Sequence, residues 1–230
     1  MIYNYHDFVK VIHDVGFSMG GGADDGIYSY SHLCAPCIRA HTEDPDTDPW
    51  EWRIRVLDEG ADIAYAKLFF KKSGYITKDW YPYFLAARRD GNTFEDAYAR
   101  GVISHFAKRI YDVVAENGTV PLHNIKQLAG FKREDKSGFD RAITELQMGM
   151  FLTICGSQQK HFKIGGNTEN NTGWRSTVFC TTETFFGEDV FNKAAKLSVN
   201  EAVDAIREQV LKLNPSAQEK KIIKFINPIG

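Results

Sequence analysis

Side chains able to grip nucleic acid gather in two nearby parts of the chain. One is "GSQQKHFK" at residues 156–163; the other runs from residue 132 to 141 and carries Lys132, Arg133, Lys136 and Arg141. Amides such as Gln158 and Gln159 can read base edges, and Lys160, Lys163 and Arg175 can neutralise phosphates with a salt-dependent gain. Arg53 and Arg55 would extend the same track if they shared one outward face, and the Arg88-Arg89 pair could join it. Opposing charge is close by. Glu134, Asp135, Asp140 and Glu145 interleave with the cations of the second segment, and Asp58, Glu59 and Asp62 follow Arg53 and Arg55. The competing readings are a solvated, charge-balanced helix and a plain polar loop.

Cysteine chemistry is the other possibility. Cys34 and Cys37 have Cys-x-x-Cys spacing, with His32 and His41 nearby. Zinc needs four ligands, and the second pair that would make the signal strong is missing. Cys155 and Cys180 fall on apolar runs and are expected to fill core. Cys-Ala-Pro-Cys also matches a thioredoxin-type redox order, but the chain lacks the repeated strand–helix units of that fold. In zinc deaminases His-x-Glu precedes the cysteine pair, whereas "HTE" at 41–43 follows it. The pair therefore reads as structural thiols one helical turn apart, with no metal and no cofactor expected. Gly20-Gly21-Gly22 lacks the Lys and Ser/Thr of a phosphate loop, and Asp24 and Asp25 beside it would repel phosphate, so a flexible loop is expected. His105 and His123 lie near helix starts and read as structural. No catalytic residue stands out.

The elements that must position these residues are read from periodicity. Residues 4–17 are amphipathic, with Phe8, Val11, Ile12 and Val15 on one face. "WEWRIRVL" alternates, which predicts a half-buried strand with Arg53 and Arg55 outward. "AKLFFKKSGYIT" is either a hairpin turning at residues 72–74 or a helix capped at Gly74, and Pro82 argues against a long helix over 78–86. Thr93 caps a short helix that stops at Gly101. Residues 104–117 form a helix with Phe106, Ile110, Val113 and Val114 inside. A one-bridge strand at 119–120 and a short helix with Leu122, Ile125 and Leu128 inward come next. A third helix spans about 133–147, with Phe139, Ile143 and Leu146 in one stripe. Strands 150–155 and 174–182 enclose the Gln- and Lys-bearing loop. Three helices and a two-stranded hairpin in this order predict a winged helix whose wing is that loop. Helices follow over 187–196, capped by Thr184, and after the capping-box patterns Ser198/Glu201 and Ser216/Glu219.

"AKRIYDVVAENGTVPLHNIKQLAGF…FDRAITELQMGMFLTICG" resembles the winged-helix domains of the AlkZ/YcaQ alkylpurine DNA glycosylases. The strings "WEWRIRVLDE", "WYPYFLAARR" and "STVFCTTETFFGE" are similar to the short proteins called AlkZ-related, over residues 50–226. The resemblance implies a bacterial protein built on winged helices with a DNA-lesion substrate. The glycosylases position water with a Gln-x-Asp or Gln-x-Gln motif. This chain has no such triplet, so no catalytic residue carries over.

Composition bounds these readings. With 230 residues and 43% hydrophobic content the chain can build a proper core. The net charge of −2 excludes an avidly basic nucleic-acid binder and predicts weak, salt-dependent DNA binding, with a protein partner as the alternative. The first residues show no signal-peptide pattern and no apolar run reaches membrane-spanning length, so a cytoplasmic protein is expected. The expected architecture is α+β: an N-terminal α/β portion over 1–102, the winged helix over 103–186, and a helical tail over 187–230. The expected function is DNA binding with a possible role in repair. A protein-interaction module and a Cys-x-x-Cys thiol or metal protein are the alternatives.

Overall fold

The computed structural model describes residues 1–22, 24–42, 44–158, 162–164, 167–169 and 175–228, the backbone alone for the two three-residue segments. The first helix, α1 (Tyr5–Val15), is capped by the Asn4 side chain, which accepts from the Asp7 N–H, and ends at Gly16. Only glycine fits there, because a Cβ would lie 2.2 Å from the Trp80 ring and φ is +85°. The chain then forms β1 (Phe17–Met19), a strand that the sequence pattern did not predict.

The alternating "WEWRIRVL" segment is not a strand but helix α2 (Pro49–Asp58). The Asp48 carboxylate accepts from the Trp50 N–H, and Pro49 occupies the first turn, where its missing donor is harmless. These start signals override the period-two pattern. Strands β2 (Ile63–Phe69) and β3 (Lys72–Thr77) form a hairpin. Its turn falls at Phe70 and Lys71, both at positive φ, rather than at residues 72–74. Helix α3 (Tyr81–Arg89) begins at Tyr81 with Pro82 in its first turn, so no helix spans 78–86, in line with the reading of Pro82. A full Thr93/Asp96 capping box starts α4 (Phe94–Ala99).

Next come α5 (His105–Asn117), β4 (Val120–Pro121), α6 (Leu122–Leu128), α7 (Lys136–Met148) and β5 (Leu152–Gln158). The short strands β6 (Phe162–Ile164) and β7 (Asn167–Glu169) pair with each other. β8 (Ser176–Thr181) leads into α8 (Thr182–Phe186), capped by Thr181; Thr184 lies inside α8, and the helix it was expected to cap starts after Gly187 with no side-chain cap. Helices α9 (Glu188–Ala194), α10 (Val199–Leu213) and α11 (Glu219–Ile226) complete the fold. The Ser198/Glu201 box caps α10 in both directions. At α11 the Ser216 hydroxyl instead bonds Asn214, and no side chain caps the helix.

Six strands form one antiparallel sheet in the order β1-β3-β2-β5-β8-β4. A single pair, Tyr65 opposite Ile154, joins the β1–β3 part to the β4–β5–β8 part. Alternation along β2 divides the core. Ile63 and Tyr65 face α1, α2, α5 and α7, through Phe8, Trp52, Ile110, Phe139 and Leu146. Ala64, Ala66 and Leu68 face α3, α10 and α11, through Phe84, Ile206 and Phe225. Leu128, expected inward, is 59% exposed; on the short α6 the fully buried position is Ile125.

Candidate nucleic-acid interface

The α7 segment presents its charges unevenly. Three of its four interleaved acids are engaged by the protein itself. Asp135 accepts from the Lys132 backbone N–H at 2.8 Å. Asp140 takes the Lys136 ammonium at 2.8 Å and that of Lys126 at 3.9 Å. Glu145 accepts from both the N–H and the hydroxyl of Ser104, at 2.7 and 2.9 Å, at the start of α5. Lys132, Arg133 and Arg141 are exposed and form no ion pair among the described residues. Lys136, by contrast, is committed to Asp140, whose hydrogen bond raises its pKa.

Arg53 and Arg55 do not share a face, because positions two apart on a helix point in different directions. Arg55 bonds Glu59 at 2.7 Å, lies 3.6 Å from Asp46 and covers the Tyr5 ring. Its charge is already met. Arg53 stacks on Trp50, with its guanidinium carbon 3.7 Å from the ring centroid. Its Nε is buried and has no hydrogen-bond partner among the described residues. An unpaired buried donor costs on the order of 1–3 kcal/mol.

Two clefts flank that stack. One, of about 320 Å³, lies between α2 and the sheet and is lined by Trp50, Glu51, Arg53, Ser157, Arg175 and Thr177. The other, of about 470 Å³, lies between α2, the glycine run 20–22 and Tyr30, Tyr65 and Tyr75. The fold thus brings Arg53 and Arg175 to one cavity. Arg175 is exposed and makes a long 3.5 Å contact with the Ser157 carbonyl. Gln158 is exposed beside it, at the end of β5 opposite Ser176. Lys163 lies on β6, with its backbone opposite Thr168. Gln159 and Lys160 lie outside the described residues, as does the Lys163 side chain.

Arg88 and Arg89 are structural, not part of a basic surface. Arg88 donates to the carbonyls of Met148, Phe225 and Ile226. Arg89 bonds Glu183 at 3.0 Å and lies over Phe151, joining "WYPYFLAARR" to "STVFCTTETFFGE". The Cys-x-x-Cys segment is not a helical turn. Cys34 follows a single 3-10 turn, Tyr30–Leu33, and pairs with Ile2, while Cys37 is exposed. Burial, and then the neighbouring Cys37, push the Cys34 thiol pKa up, the reverse of what a redox nucleophile needs. Among the described residues no three His, Cys, Asp or Glu side chains gather as metal ligands. Cys180 is buried and Cys155 half-buried on the paired strands. His123 bonds the Ser176 hydroxyl. No described helix is long and apolar enough to cross a membrane.

The expected interface did not include Trp50 or the glycine run. Asp48-Pro49 was the available signal: read as a helix start, it puts Trp50 and Arg53 at i and i+3 on one face. Comparison with known families gives a match over residues 2–227 to the family described as AlkZ related. No curated protein and no solved structure matches significantly.

Proposed function

The chain belongs to the AlkZ-related family, and from that premise we propose that it binds DNA through a winged-helix unit over residues 103–186. In this reading α7 approaches a groove, the β5–β8 connection approaches the backbone, the 1–102 portion adds Arg53 and Trp50 beside the wing, and the 187–230 tail braces the sheet. The order α5, β4, α6, α7, β5, β8, with β8 paired between β4 and β5, supports it. The observation that carries the reading is electrostatic. Lys132, Arg133, Arg141, Arg53 and Arg175 have no ion pair among the described residues, while Asp135, Asp140 and Glu145 are occupied within the fold.

Five phosphates neutralised would give a log–log salt slope of about −4.5, at about −0.9 each, and a net charge of −2 keeps the affinity low. Fluorescence anisotropy with a labelled duplex tests this. Replacing Lys132, Arg133 and Arg141 by alanine should flatten the slope by about 2.7. Absence of binding at low salt would move a protein-interaction role to first place. If the duplex is bound, a part in repair would lie in recognising damaged sites. Without a Gln-x-Asp or Gln-x-Gln triplet to position water, little excision of alkylpurines is expected in an abasic-site assay.

A further inference from the structure

We propose that the cleft between the Gly20–Gly22 loop and α2 holds one nucleoside monophosphate unit, either free or as the unpaired nucleotide of a strand. Only the strand as its source rests on the DNA-binding reading. At about 470 Å³ the cleft is in the range of small-molecule sites. Its charge selects an anion: among the described residues Arg53 is the only charged side chain lining it, and no carboxylate does. The nearby acids are held elsewhere, Asp24 near His32 at 3.7 Å and Asp25 on Lys72 at 2.8 Å.

Arg53, which lines the cleft, brings a planar fork suited to phosphate. The N–H groups of Gly21 and Gly22 have no acceptor among the described residues, and both glycines have positive φ. At Gly21 a Cβ would come within 3.3 Å of the Tyr30 hydroxyl, so a side chain there would fill the cleft mouth. Much of the remaining wall is aromatic and hydroxylic, with Trp50, Tyr65, Tyr75, Tyr30 and Ser31, and the rest is small or apolar. Burial pushes the pKa of Tyr30 and Tyr75 upward, so both stay neutral hydrogen-bonding groups. An anion joined to a flat polar ring satisfies both halves of this lining. A bare phosphate would use only one. A strand continuing past Arg53 would meet Arg175 in the adjoining cleft.

Isothermal titration with dAMP, inorganic phosphate and a thymidine hexanucleotide tests the assignment. The expected result is saturable dAMP binding, tighter than that of phosphate and weakened about tenfold or more by Arg53→Met. Ala40→Glu should weaken it similarly. Ala40 is an exposed wall residue, so this change adds a carboxylate without disturbing the core. If Arg175→Ala weakens the hexanucleotide but not dAMP, the unit comes from a strand; if it weakens neither, the unit is a free nucleotide. No saturable dAMP binding, phosphate binding equal to dAMP, or indifference to both cleft variants overturns the proposal. Duplex binding that survives such a failure leaves the DNA-binding reading intact. Conversely, dAMP binding without duplex binding refutes that reading and not the cleft.

Discussion

Replacing Arg88 with methionine should cost more stability than its position near a helix end would suggest. Its Nε donates to the Ile226 carbonyl at 2.7 Å, Nη1 to Met148 at 3.0 Å and Nη2 to Phe225 at 2.9 Å. All three carbonyls belong to last turns, of α7 and α11, and have no intrahelical acceptor role left to play. The guanidinium therefore ties together two negative helix ends and lies beside the Phe69 and Phe84 rings. Loss of hydration pulls its pKa down to about 9, which leaves it charged at neutral pH. Methionine keeps the aromatic contacts but orphans three carbonyls. At about 1–3 kcal/mol for each group left unsatisfied, and allowing for partial access of water, the loss should be about 3–5 kcal/mol. For a chain of this length that is a fall of roughly 10 °C in melting temperature. Urea unfolding followed by circular dichroism measures it. Arg88→Lys, with charge but no fork, should fall between the two. A loss below about 1 kcal/mol for Arg88→Met would refute the reasoning, because it would mean that water serves the carbonyls equally well.

Leu146, on α7 and with no exposed surface, should cost about 2–5 kcal/mol as alanine, read by the same unfolding curves. The Ser198 hydroxyl and N–H bond the Glu201 carboxylate and hold its pKa below the ordinary value, so the box contributes stability above that value and loses it as pH falls through the lowered one. Ser198→Ala should shift Glu201 back toward the ordinary range in an NMR titration and flatten that part of the acid-unfolding profile; an unmoved titration would show that the hydroxyl is idle.

Residues 103–186 were legible because their apolar stripes are long and well punctuated. Ile110, Phe139, Ile143 and Leu146 are all in the core, and Ser104 and Gly118 bound α5. The strand pairing was also readable, since Leu152 to Ile154 meet Phe179 to Thr181 in antiparallel register. The α2 segment misled for a physical reason. Trp52, Ile54 and Val56 are indeed buried, which imitates a strand, yet they sit on a helix wedged between α1 and the sheet. Trp50, which alternation also sends inward, is 46% exposed. Over eight residues the two periods differ too little to decide, and only the Asp48-Pro49 start separates them. Pro82 was read correctly as barring a helix across 78–86, but the aromatic run around it conceals that a helix begins at Tyr81, with the proline in its first turn.

The cleft was hidden because it is made by pairing, not by spacing. β1 lies along β3, and the Gly20 N–H donates to the Ser73 carbonyl at 2.8 Å, so the glycine run is set beside Tyr75 and beneath α2 across more than fifty residues of chain. Sequence proximity put Asp24 and Asp25 against that run and made phosphate look unwelcome. In the fold Asp24 accepts from the Gly26 N–H and faces His32, while Asp25 is taken up by Lys72. The same reversal holds for three of the four acids around α7: Glu145 bonds the Ser104 cap of α5, Asp135 closes the lead-in turn and Asp140 holds Lys136. Net charge counts every group once. A ligand instead meets the charges left over after the fold has paired its own, and these include Lys132 and Arg133 just before α7, Arg141 on it, and Arg53 with Arg175 at a cavity that Glu51 also lines.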